Sequence, residues 1–297
     1  MAPKFSGLAS VRASLKEPER QPAQRADELR WSVVVPYYNE RPFLPAMLAS
    51  MIAQSVRPFR LTLVDNASTD GSGAAARAAL AEAEDIDIVH LVETTPGQAA
   101  ALERGIAEAD TDFIAICDAD TIYPPDYLAR AGAQYDALGP GAAAILATAF
   151  YDEPGSLSSR LARLKMRIVP HLLRKQCHAG GYAHTFRTDA LKRAGGYSRK
   201  LWPHLRKDHE LMHRVWKEGR VVHDPGLWCR ASDRRSSVLQ KRWTLFERIL
   251  YHATPFQMKD WFFYDFLGPR MAARAHDELR LRERPWEGTG KEREAGV

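Results

Sequence analysis

The 297-residue chain is 45% hydrophobic and 27% charged, with a formal net charge of +5, which provides for one large α/β domain with extra segments or two small domains and excludes disordered and fibrous classes. Its three cysteines, Cys117, Cys177 and Cys229, are odd in number and far apart, so neither a disulfide framework nor a zinc spacing is visible and a reducing compartment is expected. Apolar stretches such as Ala142–Phe150 fall short of the ~20 residues that span a bilayer, the amino terminus lacks the apolar run of an export signal, and the positive charge suits a phosphate-bearing partner, so a cytoplasmic protein is expected, without the spacings of nucleic-acid-binding modules.

Residues 1–29 are rich in Pro, Gln, Arg and Glu without periodicity and read as a mobile tail. Residues 31–35 form a β-branched run closed by Pro36, and Leu44, Met47, Leu48, Met51 and Ile52 then recur at helical spacing. A second apolar run, 61–64, leads into the turn and capping residues of 65–71 and an Ala-rich helix over 72–84. Residues 86–92 with a helix over 98–109, then 113–117 with a helix after Pro125, complete four βα units. Such a series predicts a mostly parallel sheet with helices on both faces. Past residue 150 the alternation breaks into a basic helix over 156–173, the stretch Gly180-Gly181 and a helix over 208–217.

Ligands of such sheets bind beyond the carboxyl ends of the strands, where Asp65 and Asp118-Ala119-Asp120 fall. Two carboxylates at a strand end can hold a hard divalent cation that also takes diphosphate oxygens. A solvated strand-end turn is the plainer reading of that triplet by itself.

The triplet has company. Val33-Val34-Val35-Pro36-Tyr37-Tyr38-Asn39-Glu40, Val64-Asp65-Asn66-Ala67-Ser68-Thr69-Asp70-Gly71 and Cys117-Asp118-Ala119-Asp120 stand in an order that resembles family 2 glycosyltransferases of the GT-A fold. The resemblance continues through Gly180-Gly181, Gly195-Gly196-Tyr197 and Lys207-Asp208-His209-Glu210-Leu211, covering roughly residues 31–232. It implies an α/β, Rossmann-like GT-A domain over 30–235, with a nucleotide-sugar half (30–123), an acceptor half (124–235) and a helical extension over 236–297. It also implies an inverting transfer of sugar from a nucleotide diphosphate, UDP first, with Mn²⁺ or Mg²⁺, onto a hydroxyl of a glycan, lipid or small molecule. Pro36, Tyr38, Glu40, Asp65 and Asp118 would line the nucleotide pocket, and Asp120 with Asp118 would hold the metal. Asp208 would take the proton from the attacking hydroxyl, although Asp at that point also suits a helix cap.

Several positions depart from the family pattern. Gln98 and Glu103 replace a basic residue and an asparagine, which puts contacts to base or diphosphate in doubt, and Lys207 replaces a glutamate and would lower the pKa of Asp208 on close approach. Arg230 and Ala231 occupy the neighbourhood from which some members supply a metal-binding histidine, leaving His223 as a substitute candidate and no assigned third ligand. Gln240-Lys241-Arg242-Trp243 resembles the Q-x-x-R-W signature of processive polymerases with one residue too few, so a single addition is expected. Arg234, Arg235 and Arg242 suit phosphate oxygens and Gly180 and Gly181 the diphosphate or acceptor, with a solvated basic loop as the plain alternative for the arginines.

Trp261-Phe262-Phe263-Tyr264 and Phe266-Leu267 beside Lys259, Arg270 and Arg274 fit either packing on the catalytic domain or a helix at an anionic membrane surface, at the inner face of the membrane. Two other classes compete. Asp118-Ala119-Asp120-Thr121 resembles the D-x-D-x-T pattern of haloacid dehalogenase type phosphatases, with Asp118 as nucleophile, but its threonine stands one position early and Asp65 and Asp208 are left without a role. The departures at Gln98, Glu103 and Lys207 suggest a nucleotide-sugar binding protein without catalysis.

Overall fold

The computed structural model describes residues 19–21, 29–151, 155–173, 175–177, 179–232 and 243–274. The first βα unit is β2 (Trp31–Tyr37) and α1 (Leu44–Ile52); β1 (Glu19–Gln21) precedes it. The next three units are β3 (Phe59–Asp65) with α2 (Ser72–Leu80), β4 (Ile86–Val92) with α3 (Gln98–Ala107), and β5 (Phe113–Ile116) with β6 (Thr121–Ile122) and α4 (Tyr127–Leu138). The strand β2 runs past the expected stop at Pro36. Its pairing with β5 ends at Val34, so the missing N–H of Pro36 falls where only β3 remains as a neighbour.

The following stretch contains β7 (Ala142–Phe150), α5 (Leu157–Leu172), β8 (His184–Arg187), α6 (Thr188–Arg193), α7 (Lys207–Glu218) and β9 (Arg220–Ala231). The strands among the described residues join one nine-stranded sheet in the order β1-β4-β3-β2-β5-β8-β7-β9-β6. The strands β2, β3, β4, β5, β7 and β9 share one direction, and β1, β6 and β8 oppose it. The sheet is therefore mostly parallel, as its βα repeats predict, with antiparallel strands where the repeats stop. One difference lies at the start: Glu19–Gln21, inside the segment read as a tail, pairs antiparallel with residues 88–90 of β4, a backbone contact that needs no apolar pattern.

The strands β2, β3 and β5 are buried on both faces, so β2 and β5 read as nearly continuous apolar runs, while β3 also buries Arg60 and Thr62. The helix α3 lies so close to the sheet that a Cβ on Gly105 would stand 2.5 Å from Val34 and 3.0 Å from Val64. Only glycine permits that approach. Trp31, Phe113 and Tyr135 tie α4 to the same core, with Phe113 and Tyr135 stacked at 4.4 Å.

A second apolar cluster joins α8 (Leu245–Ala253), the π-helical turn Trp261–Leu267 and α9 (Gly268–Ala273) to Trp202. Phe262 and Phe263 are fully buried there, and Lys259 is buried with its ammonium donating to the Tyr251 carbonyl. The aromatic run at 261–267 thus packs inward, because two of its consecutive rings face Trp202, Trp243 and Tyr251. A membrane contact through Phe262 and Phe263 is corrected by that packing. No helix among the described residues is long and apolar enough to cross a membrane.

Candidate active site

The carboxyl ends of β2 and β3 build the first wall. Asp65 closes β3, and its Oδ1 accepts the Ser68 N–H at 2.7 Å, which tightens the following turn. That turn is latched to the loop after β2: the Asn39 N–H donates to Ser68 Oγ at 3.0 Å, the Glu40 N–H to Ser72 Oγ at 2.8 Å, and the Thr69 N–H to Asn39 Oδ1 at 2.7 Å. Pro36 is buried in β2, Glu40 is buried below the loop, and Tyr38 is half-buried on it. Burial and the neighbouring Asp65 carboxylate push the Tyr37 phenol well up, so it stays protonated beside Asp65. The sequence-expected nucleotide residues on β2 and β3 therefore share one rim.

Asp118-Ala119-Asp120 forms the turn between β5 and β6, closed by the Thr121 N–H donating to the Asp118 carbonyl at 3.2 Å. The Asp118 N–H donates to the Tyr123 hydroxyl at 3.2 Å, whose own proton goes to the Tyr182 carbonyl at 2.9 Å. Asp120 and Ile122 line a cleft of about 320 Å³ with Pro42, Phe43 and Ala46 at the start of α1, Tyr151 after β7, and Arg230, Ala231 and Ser232 at the end of β9. The pairing of Thr121 with Ala231 and Ile122 with Arg230 brings β9 there. His223 pairs with Leu146 far back on β9, away from the cleft, so it is not the substitute metal ligand. Among the described residues no group of three His, Cys, Asp or Glu side chains is placed to hold a metal. Asp118 and Asp120 offer oxygen donors only, a set that suits a hard divalent cation completed by diphosphate oxygens.

The opposite wall carries Asp208, in the first turn of α7. The cap position belongs to Arg206, in left-handed conformation and without a side-chain cap bond, so the capping alternative for Asp208 does not hold. Tyr197 donates its hydroxyl to Asp208 Oδ1 at 3.1 Å, and the Gly181 N–H supplies a further bond. A Cβ on Gly181 would stand 2.6 Å from Asp208 Oδ1 and 2.7 Å from the Tyr197 hydroxyl, which is why glycine stands here. Gly180 likewise has the Tyr182 ring at 2.6 Å from a built Cβ.

Burial pushes the Asp208 carboxyl up, but His184, Lys207, His209 and the Gly181 amide outweigh it and hold it below the usual carboxylate range. Burial holds the His184 imidazole below its ordinary value against the pull of Asp208. His184 Nε2 lies 3.1 Å from the Ala179 carbonyl, which can only accept, so that nitrogen bears the proton.

The two walls are joined. Lys207 donates to Gln98 Oε1 at 2.8 Å, and Gln98 Nε2 donates to Asp118 Oδ1 at 2.9 Å. Tyr197 feels both the Asp208 and the Asp118 charges. Two of the family departures, Gln98 and Lys207, are thus partners in one bridge. Glu103 instead holds the 199 loop, accepting from the Arg199 N–H and guanidinium. Arg234, Arg235 and Arg242, and the polymerase-like stretch apart from Trp243, lie outside the described residues. Sequence reasoning missed Tyr123, Tyr197 and His184 as site residues; their aromatic character was visible, their placement by β6, β8 and the glycine turn was not.

Residues 32–194 match the family model for glycosyl transferase family 2. The undecaprenyl-phosphate 4-deoxy-4-formamido-L-arabinose transferase of Serratia proteamaculans is 34% identical over 115 residues, 36% of this chain and 35% of that protein. Its counterpart from Pseudomonas fluorescens is 36% identical over 116 residues, 36% of this chain and 34% of that protein. The chain spans about a third of the length of these curated relatives. Among solved structures, the mannosyltransferase PcManGT of Pyrobaculum calidifontis with GDP-Man and Mn²⁺ has a TM-score of 0.58 at 21% identity, over 86% of this chain and 77% of that one. The S. aureus TarS 1-349 complex with UDP-GlcNAc has a TM-score of 0.55 at 16% identity, over 80% of this chain and 71% of that one. At such identities these likenesses establish the GT-A fold.

Proposed function

The chain belongs to glycosyl transferase family 2, and on that premise we propose that it moves a sugar from a nucleotide diphosphate, UDP first, onto an acceptor hydroxyl with inversion. The observation that carries the proposal is the bridge Asp208-neighbouring Lys207, Gln98, Asp118, which sets a carboxylate base on one wall against donor-binding carboxylates on the other. A haloacid dehalogenase type phosphatase leaves Asp208 idle and is set aside with the family assignment. The relatives named for undecaprenyl-phosphate support a lipid-linked acceptor in glycolipid synthesis.

In this reading Asp65 and the loop of Tyr38 and Glu40 receive the nucleoside. Asp118 and Asp120 would hold Mn²⁺ or Mg²⁺, which when bound would neutralise the diphosphate leaving group. An acceptor hydroxyl is a poor nucleophile at neutral pH, so its proton must pass to a positioned carboxylate as the bond to the anomeric carbon forms. Asp208 is ionised for that task, oriented by the Tyr197 hydroxyl and the Gly181 amide. Its lowered pKa makes it a weak base that is always available, and the transfer depends on placement more than on proton affinity.

The test is Asp208→Asn, which keeps size and the bonds to Tyr197. Turnover of a nucleotide-sugar panel with lipid-linked and soluble acceptors should fall ~10²- to 10⁴-fold, with nucleotide diphosphate affinity unchanged and an inverted product in the parent. Transfer near the parental rate, or a product that retains the donor configuration, refutes Asp208 as the base.

A further inference from the structure

The helix α5 carries Leu157, Leu161, Leu164, Ile168 and Leu172 at helical spacing along one side. They remain 48% (Ile168) to 75% (Leu172) exposed, while Ser159 and Met166 on the other side are buried where α5 packs on β7 and β9. A contiguous row of five large aliphatic side chains is not a surface that water favours. Beside the row stand Arg160, Lys165 and Arg167, all exposed, and Arg163, whose guanidinium lies 5.2 Å from the Phe150 ring. The helix contains no acidic residue.

We infer that α5 is a docking element for an anionic membrane surface, its leucine row entering the acyl boundary and its arginines and lysine meeting lipid phosphates. An amphipathic helix with an apolar row and cationic margins has the composition for this. Charge decides between occupants. A second copy laid on the same row would bring two sets of four cations together without an acidic partner in the helix, whereas anionic headgroups neutralise them. A further apolar set, Leu245, Phe246 and Ile249 with exposed Arg248, lies on α8. The segment that follows α5 meets α8 through the Cys177 N–H donating to the Tyr251 hydroxyl at 3.2 Å. The helix α5 packs on β7 and β9, and the cleft is lined by Tyr151 just after β7 and by Arg230 and Ala231 of β9, so the docking surface shares its supporting strands with the cleft.

The experiment is co-sedimentation of the full chain with vesicles of phosphatidylcholine containing phosphatidylglycerol, against phosphatidylcholine alone, at low and physiological salt. Binding to the anionic vesicles, weakened by salt and absent on the neutral ones, is expected. The variant Leu161→Gln, Leu164→Gln, Ile168→Gln should remain in the supernatant. The variant Arg160→Gln, Lys165→Gln, Arg167→Gln should partition roughly a hundredfold more weakly, about fivefold for each cation lost. Because these side chains are exposed, thermal unfolding should match the parent in both. The inference is overturned if the parent stays in the supernatant with anionic vesicles at low salt, or if the apolar variant pellets like the parent. It is also overturned if the parent self-associates in equilibrium sedimentation and the apolar variant does not, which gives the row to a second copy. None of these outcomes depends on sugar transfer, so the proposed chemistry and the docking surface stand or fall separately.

Discussion

Gly181→Ala tests the placement of Asp208 without touching its chemistry. A Cβ at that position meets Asp208 Oδ1 at 2.6 Å and the Tyr197 hydroxyl at 2.7 Å. Restoring an ordinary carbon contact requires the carboxylate to retreat by about 0.8 Å, and a displacement near 1 Å of a reacting group lowers rate by roughly 10²-fold. Gly181 has no positive φ, so the effect is one of contact and not of backbone strain. Single-turnover transfer with saturating donor should therefore fall by about two orders of magnitude, while nucleotide diphosphate affinity by calorimetry stays at the parental value. Gly141→Ala, where the built Cβ meets nothing within 4 Å, is the control. Parental turnover in Gly181→Ala, with folding intact, would refute the claim that this glycine sets the carboxylate.

Two further outcomes are expected. Calorimetric titration of UDP should show tight binding with Mn²⁺ and weak binding with EDTA, and Asp120→Asn should remove the difference; equal affinity in both buffers eliminates the metal from donor binding. Burial lowers the Lys259 ammonium to about 8, so between pH 8 and its unfolded value of 10.5 the unfolded chain holds a proton that the folded chain has released, and stability contributed here rises with pH by at most about 3 kcal/mol. Comparing denaturant midpoints of the parent and Lys259→Met across that range checks the sign, and a parallel pH dependence in the two proteins sinks it.

The first half of the fold was legible because each parallel strand is buried on both faces and each helix returns one apolar stripe to it. Residues 86–92, read as a strand, have the same bounds as β4, and the helix read at 156–173 is α5 to within a residue at each end. Pro36 misled in the other direction, since a residue without an N–H ends a strand only where a neighbour needs that donor. Beyond residue 150 the local signal weakens. The strand β8 is four residues long, and β9 contains Pro225 and Gly226 at a register shift against β7, so neither shows sustained alternation. The carboxylates of the site were visible as motifs, but their partners come from distant chain positions. Tyr197 reaches Asp208 and Tyr123 reaches Tyr182 through packing that no local spacing encodes. The burial of Phe262 and Phe263 is of the same kind, because composition could not distinguish a ring facing lipid from a ring facing Trp202.

The sheet ends in its two shortest strands, β1 of three residues and β6 of two, and both run against the strands they cover. Open edges of long apolar strands recruit other chains into intermolecular sheets, and very short terminal strands blunt that tendency. On one side, among the described residues, β4 is covered by the pairing of Glu19, Arg20 and Gln21 with His90, Val89 and Ile88. A recombinant version trimmed to begin at Trp31 would keep every βα unit and every carboxylate of the site, yet would uncover backbone donors and acceptors of β4 at Ile88, Val89 and His90. Residues that look dispensable for catalysis would thus serve solubility, by blunting an edge that could otherwise pair with a second copy.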